Sequence, residues 1–178
     1  PFHSRNAFSY TTISKVENEQ EKISSTYIRS LLARGDVAKI PNLLGRYYEV
    51  IGKVIHGEKR GRTIGFPTAN IESERYLLPE TGVYAVLVKV KDQTYEGVCN
   101  IGFKPTFHGD NKKYKSVEIH IFDFQEQIYD ELIKIQWIER IRSEQKFASI
   151  DELISQIKQD KEKAKQILYK LNMCSCNS

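Results

Sequence analysis

The feature that most limits the fold is a change of period at Tyr48. From there to Ile141, apolar residues recur mainly at every second position instead of every third or fourth. "YYEVIGKVIHG" reads as a strand, and "GVYAVLVKV" and "TYEGVCNIG", joined through "KDQ", read as a hairpin. "YKSVEIHIFDF" alternates again, and "LIKIQWIERI" is expected to show Ile133, Ile135, Trp137 and Ile141 on one face. Strands that follow one another through turns, with no helix between them, do not make strand–helix–strand units. The expectation is a mainly β protein built on an antiparallel barrel.

The flanks have helical signals. In "ISSTYIRSLLARGDVAKIPNLLG", Ser24 or Ser25 caps a short helix with Ile28, Leu31 and Leu32 on one face, and Gly35 stops it. A second short helix is expected from about Val37, with Pro41 early in it or at a break, ending at Gly45. After the strands, "SIDE" has the form of a capping box, with Ser149 and Glu152 three apart. Leu153, Ile154, Ile157, Ala164, Ile167, Leu168 and Leu171 then recur at helical spacing, which predicts one amphipathic helix lying on the barrel. The first 22 residues have little periodicity, and no element is assigned to them.

The chain has 178 residues, 40% of them hydrophobic and 28% charged, an ordinary balance for a globular domain. The net charge of +4 suits a small anionic substrate. Lys and Arg are interleaved with Asp and Glu, so neither the charge nor the ten tyrosines make a nucleic-acid stripe. No run reaches the roughly 20 apolar residues of a membrane helix. Cys99, Cys174 and Cys176 cannot complete a disulfide framework, and the C-x-C pair lacks partners for zinc. A reducing cytoplasmic location, without a nucleic-acid or membrane partner, is the expectation.

Three polar segments are candidates for chemistry. "GEKRGRTIG" spaces Gly57, Gly61 and Gly65 four apart with Lys59, Arg60 and Arg62 between them. Such a loop brings backbone N–H groups and cations to a phosphate, or is simply a solvated turn; it is neither a P-loop nor a dinucleotide fingerprint. In "FPTAN", Pro67 favours an extended Phe66, and an extended chain puts Thr68 and Asn70 on one face and Ala69 on the other. Their oxygens are hard donors of the kind magnesium accepts; the alternative is a strand entry with turn-type hydrogen bonds. In "SVEIHIFDF", Ser116, Glu118 and His120 share a polar face opposite Val117, Ile119 and Ile121. Glu118 is either a solvated side chain or a base for phosphoryl transfer to a hydroxyl, and His120 suits a structural hydrogen bond better. "KPTFHGDNKKYK" is a polar loop open to two readings, a lid or an idle surface loop. "IRSEQKFAS" sets Arg142, Glu144 and Phe147 just before the last helix, where they would hold a planar heterocycle or staple the helix.

Taken in order, "GxVxHGxxRGRTIGFPTAN", "LLPETGVYAV", "YEGVCNIGFKPTF", "SVEIHIFDF", "IYDELIKI" and "IRSEQKFASIDELISQIKQD" resemble the riboflavin kinase domain over about residues 46 to 165. The resemblance implies a Greek-key antiparallel barrel with a C-terminal helix. It implies phosphoryl transfer from ATP, with magnesium or another divalent metal, to the ribityl 5′-hydroxyl of riboflavin, giving FMN and ADP. By family likeness, Thr68 and Asn70 hold metal and phosphate, and Glu118 is the base. The loop carrying Gly57, Lys59, Gly61, Arg62 and Gly65, with Pro67 and Thr68, covers the nucleotide phosphates. Ile128 and Tyr129 match positions near adenine, and Arg142, Glu144 and Phe147 lie near the flavin. Asp130 departs from the glycine usual after that tyrosine.

"ISSTYIRSLLARGDVAKIPNLLGRYYEV" resembles the end of the FMN adenylyltransferase domain that precedes riboflavin kinase in bifunctional bacterial FAD synthetases, with Tyr27 and Tyr47 as departures. The expected division is therefore residues 1–45 as a helical remnant of that domain, 46–172 as the kinase and 173–178 as a polar tail. The histidine-containing motif of the adenylyltransferase does not occur, so FAD formation is not expected of these residues. The competing expectation is a non-catalytic flavin- or nucleotide-binding regulatory module, which would not need Glu118.

Overall fold

The structure is a computed structural model that describes residues 17–18, 21–22, 24–57, 60–72, 76–104 and 114–175. Six strands carry the fold: β1 (Tyr48–Ile55), β2 (Ala69–Glu72), β3 (Gly82–Val90), β4 (Gln93–Lys104), β5 (Tyr114–Ile121) and β6 (Leu132–Arg142). They close a barrel in the order β1-β2-β5-β4-β3-β6, with every neighbouring pair antiparallel. β3, β4 and β5 are neighbours in chain order while β2 returns beside β5, which is the Greek-key arrangement. Glu17–Asn18 and Glu21–Lys22 form a separate two-stranded ribbon.

The inward side chains include Val50, Val54, Tyr84, Val86, Cys99, Ile101, Val117, Ile119, Ile133, Ile135 and Trp137, all at 1% exposure or less. Burial pushes the Cys99 thiol above its usual pKa, as expected of a core cysteine. The strict alternation expected of β6 fails at two places. Opposite β3 the register steps from Trp137–Val86 to Glu139–Ala85, and from Arg140–Tyr84 to Arg142–Val83, so Ile138 and Ile141 are the extra residues of two bulges. Ile141 therefore does not join Ile133, Ile135 and Trp137. It packs with Ile138, Val83, Ala85, Val98 and Phe122 in a second cluster outside the barrel.

That second cluster is covered by α4 (Ile150–Ser175), whose Ala164 and Leu168 are fully buried on it, with Ile167 and Leu171 alongside. The helix starts where the capping signal lies: Glu152 N–H donates to Ser149 Oγ at 3.2 Å, and Glu152 Oε2 accepts from Ala148 N–H at 2.8 Å. The carboxylate thus caps one residue earlier than in the usual box. The helix also runs on through residues 173–175, the first half of the expected tail.

At the other side of the chain lie α1 (Ser25–Arg34), a 3-10 turn (Val37–Lys39) and α2 (Pro41–Leu44). Ser24 caps α1 by accepting from Tyr27 N–H, and Gly35 and Gly45 end the two helices in left-handed conformation at φ +77° and +67°. Leu31, Leu32, Val37 and Ile40 are at most 1% exposed and belong to the same core cluster as Trp137. Glu80 N–H donates to the Leu32 carbonyl at 2.9 Å, which ties this helical segment to the chain entering β3.

Candidate active site

Three glycines shape the crossing from β1 to β2. A Cβ at Gly57 would lie 2.1 Å from Nδ2 and 2.7 Å from Oδ1 of Asn70, so the carboxamide rests against bare backbone. Gly61 falls in the single helical turn α3 (Arg60–Thr63), where a Cβ would stand 2.2 Å from the Phe66 carbonyl oxygen. That approach is the closure of the turn, with Phe66 N–H donating to the Gly61 carbonyl at 2.8 Å, and Gly65 completes it at φ +83°. Arg62 has its backbone in this turn; its side chain, and Lys59 altogether, lie outside the described residues.

Past the turn, the Pro67 carbonyl accepts from His120 Nδ1–H at 2.9 Å, pinning the "FPTAN" segment to β5. The His120 ring lies between Phe66 and Phe122, at 5.6 and 5.7 Å between centroids. Burial among these rings lowers its pKa, reinforced by the charge of Lys161 and opposed by the Pro67 carbonyl and Asp123. His120 thus holds the fold, the role the sequence favoured.

Thr68 occupies the wall between two cavities. One, of about 330 Å³, is lined by Pro67, Thr68, Ile119, Phe124, Ile128 and Tyr129 among others. The other, of about 280 Å³, is lined by Gly61, Phe66, Thr68, Asn100, Glu118 and His120, and also by Arg142, Glu144, Phe147, Leu153, Ile157 and Asp160. Asn70 and Asn100 lie directly opposite Glu118 on the neighbouring strands β2 and β4, so the three make one row across β2-β5-β4. Asn70 is 9% exposed and is not among the residues that line either cavity; its amide rests against Gly57.

In the first cavity Tyr129 stacks on His56, with 3.9 Å between centroids and 27° between planes. The next residue, Asp130, adopts φ +67°, the left-handed conformation that glycine enters without strain. Two contacts hold the turn there: Asp130 N–H donates to the Val54 carbonyl at 2.9 Å, and its carboxylate meets Lys53 Nζ at 2.7 Å. The usual reason for glycine at this position is met here by a residue type that tolerates the same dihedral.

In the second cavity Arg142 does more than face a ligand. Its Nε and Nη2 grip the Asp160 carboxylate at 2.8 to 3.0 Å, and its guanidinium carbon stands 5.7 Å from the centre of the Phe147 ring. Glu144 Oε1 would be 2.9 Å from a Cβ on Gly102, which brings it beside β4. Arg142, Glu144, Phe147, Thr68 and Glu118 are thus gathered in one cavity, and Ile128, Tyr129 and Pro67 in the other.

Sequence reading missed Asn100 and Asp160, which line the second cavity, and His56 and Gln156, which contact the lining residues Tyr129 and Asp160. Asp160 carried a signal, for it stands in the apolar stripe of α4 between Ile157 and Ala164. The polar loop that the sequence left open between a lid and an idle surface loop lies almost wholly outside the described residues, at 105–113. Among the described residues no three His, Cys, Asp or Glu side chains cluster in a way that would hold a metal ion. None of the helices there is long and apolar enough to cross a membrane.

Comparison with known proteins bears on the family and the fold. The riboflavin kinase family model, Flavokinase, matches residues 44–168. The bifunctional riboflavin kinase/FMN adenylyltransferase of Bacillus subtilis is 51% identical over 155 residues, 86% of this chain and 49% of that protein. The protein of the same description from Haemophilus influenzae is 46% identical, over 83% of this chain and 47% of its own length. The chain therefore spans about half the length of these curated relatives. Among solved structures, one described as a macrolide-efflux protein from Streptococcus pneumoniae superposes with a TM-score of 0.78 at 41% identity, covering 86% of this chain and 50% of that one. Riboflavin kinase from Trypanosoma brucei superposes at 0.50 with 26% identity, over 70% of this chain and 82% of that one. With the family match spanning the barrel and most of α4, the chain belongs to the riboflavin kinase family.

Proposed function

We propose that the protein transfers the γ-phosphoryl group of ATP to the 5′-hydroxyl of riboflavin, giving FMN and ADP. The observation that carries the reading is the position of Thr68, which lines both cavities at once, with Glu118 in one and Tyr129 in the other. A phosphoryl transfer needs two substrates brought end to end at one point, and a shared wall supplies that point. The cavity of Ile128 and Tyr129 takes the nucleotide, and the cavity of Arg142, Glu144 and Phe147 takes the flavin.

Within this proposal Glu118 orients the attacking hydroxyl and receives its proton as the oxygen bonds to the γ-phosphorus and the bond to ADP breaks. In a loose transition state the proton leaves late, so orientation is the first duty of the carboxylate. The loop that carries Lys59, Gly61, Arg62 and Gly65 would reach the nucleotide phosphates where the two cavities meet at Thr68, although Gly61 itself lines the second cavity. Thr68 and Asn70 would hold a divalent cation, magnesium by preference. The donor set suits that ion: a hydroxyl and an amide oxygen are hard ligands, and magnesium commonly completes its shell with water and substrate phosphate. When bound, the cation neutralises charge on the phosphates. A cytoplasmic setting, and descent of residues 1–45 from an adenylyltransferase domain, belong to the same proposal.

The test is incubation with riboflavin and MgATP, followed by chromatography. FMN is the expected product; flavin binding without product would leave a non-catalytic module, and FAD would reveal an adenylyltransferase. Glu118→Ala is expected to lower kcat by about 10²- to 10⁴-fold while riboflavin affinity changes much less. An unaltered kcat would remove the base assignment.

A further inference from the structure

Among the buried groups that the reaction as described leaves unused, Asp160 is the most unusual. Its side chain is 5% exposed, and it stands in the stripe Leu153, Ile157, Asp160, Ala164, Leu168, at helical spacings of an apolar face. N-terminal to it, Leu153 and Ile157 wall the second cavity; C-terminal to it, Ala164 and Leu168 are buried against the barrel. A carboxylate at that transition is not explained by stability, since an apolar side chain of similar volume often serves a buried ion pair's position as well or better.

What the carboxylate does is hold Arg142. Asp160 accepts from Nε and Nη2, and Gln156 Nε2 donates to Asp160 Oδ1 at 3.0 Å, fixing the acid in turn. Arg142 Nη1 donates to the Ser143 carbonyl at 2.9 Å, so Nε, Nη1 and Nη2 each donate to an acceptor within the protein. The planar fork is thereby locked in one orientation beside Phe147, and both side chains line the cavity.

We propose that Asp160 is a positioning residue for the flavin cavity: through Arg142 it sets the plane against which a planar heterocycle rests, and it makes α4 a wall of that cavity. This rests on the reading that the second cavity takes riboflavin. Asp160 acts on flavin binding and not on the transfer itself, because it stands on α4, which packs chiefly on β3, β4 and β6, whereas Thr68 leads into β2.

The experiment is steady-state kinetics of Asp160→Asn and Gln156→Ala, with riboflavin and ATP varied separately and folding checked by Trp137 fluorescence. Asp160→Asn is expected to raise the riboflavin KM roughly tenfold or more, the loss that goes with one charge-assisted contact. Gln156→Ala should raise it a few-fold by the same route. In both, kcat and the ATP KM should stay within about threefold of the wild type. A folded Asp160→Asn protein with wild-type riboflavin KM overturns the inference, as does an equal loss in kcat and in both KM values. If Asp160→Asn does not fold, Gln156→Ala decides on the same criteria. A wild-type chain that makes no FMN removes the functional reading and this inference with it, a failure visible before any variant is made.

Discussion

Gly57 and Asn70 form a pair that neither residue explains alone. The carboxamide occupies the space where a side chain at 57 would be, at 2.1 to 2.7 Å from an ideal Cβ. Gly57→Ala is therefore expected to displace the Asn70 amide, lowering kcat and raising the magnesium concentration needed for half-maximal rate, in the same direction as Asn70→Ala. Magnesium titrations of both variants check this; a Gly57→Ala enzyme with wild-type magnesium dependence would contradict it. His120 gives a prediction of the opposite kind, about stability. Its folded pKa lies below the ordinary value of about 6.5, so the fold favours the neutral ring. That preference contributes in full above about pH 6.5 and is lost as pH falls through the depressed folded value. Between about pH 7.5 and pH 5, the Tm of the wild type should fall more than that of His120→Asn, which keeps an amide donor for the Pro67 carbonyl.

Among the elements, α4 has two unlike halves, and its start is set by local chemistry. Removing the Ser149 hydroxyl leaves the Glu152 N–H without its capping partner, so Ser149→Ala should cost about 1 kcal/mol in denaturant unfolding. Both ends of α1, the close of α2 at Gly45 and the start of α4 were readable because caps depend on a few consecutive residues. β5 was readable for a similar reason: its alternation is unbroken, so Glu118 and His120 had to oppose Val117, Ile119 and Ile121. β6 was only half readable. Its two bulges are defined by the register against β3, a strand about 50 residues away, and no pattern within "LIKIQWIERI" announces them. Without the bulges Ile141 would point into the barrel and Glu139 would be buried with it.

In the whole molecule, the helical segment at residues 25–45 and the barrel share one core, although the sequence reading expected them to belong to different domains. Leu32 is 1% exposed and its backbone carbonyl holds Glu80. Leu32→Ala is expected to cost about 2–5 kcal/mol. Trp137 is the one tryptophan in the chain and sits in the same cluster, so its fluorescence and the far-UV circular dichroism should report a single coincident transition. Two separated transitions would mean that the helical segment and the barrel unfold independently.

The sequence by itself determined the strand-rich class, the polar face of β5, the helix caps and the presence of a family motif around Thr68 and Asn70. Periods of two and 3.6 residues and capping patterns act over a few neighbours, and such signals survive without knowledge of the fold. Tertiary structure alone decided that Thr68 would be a wall shared by two cavities, that Ile141 would leave the barrel interior, and that Arg142 would be gripped by Asp160. Each of these depends on how elements far apart in the chain are registered and packed. A one-residue shift in that packing turns a side chain from one environment to another without changing any local pattern.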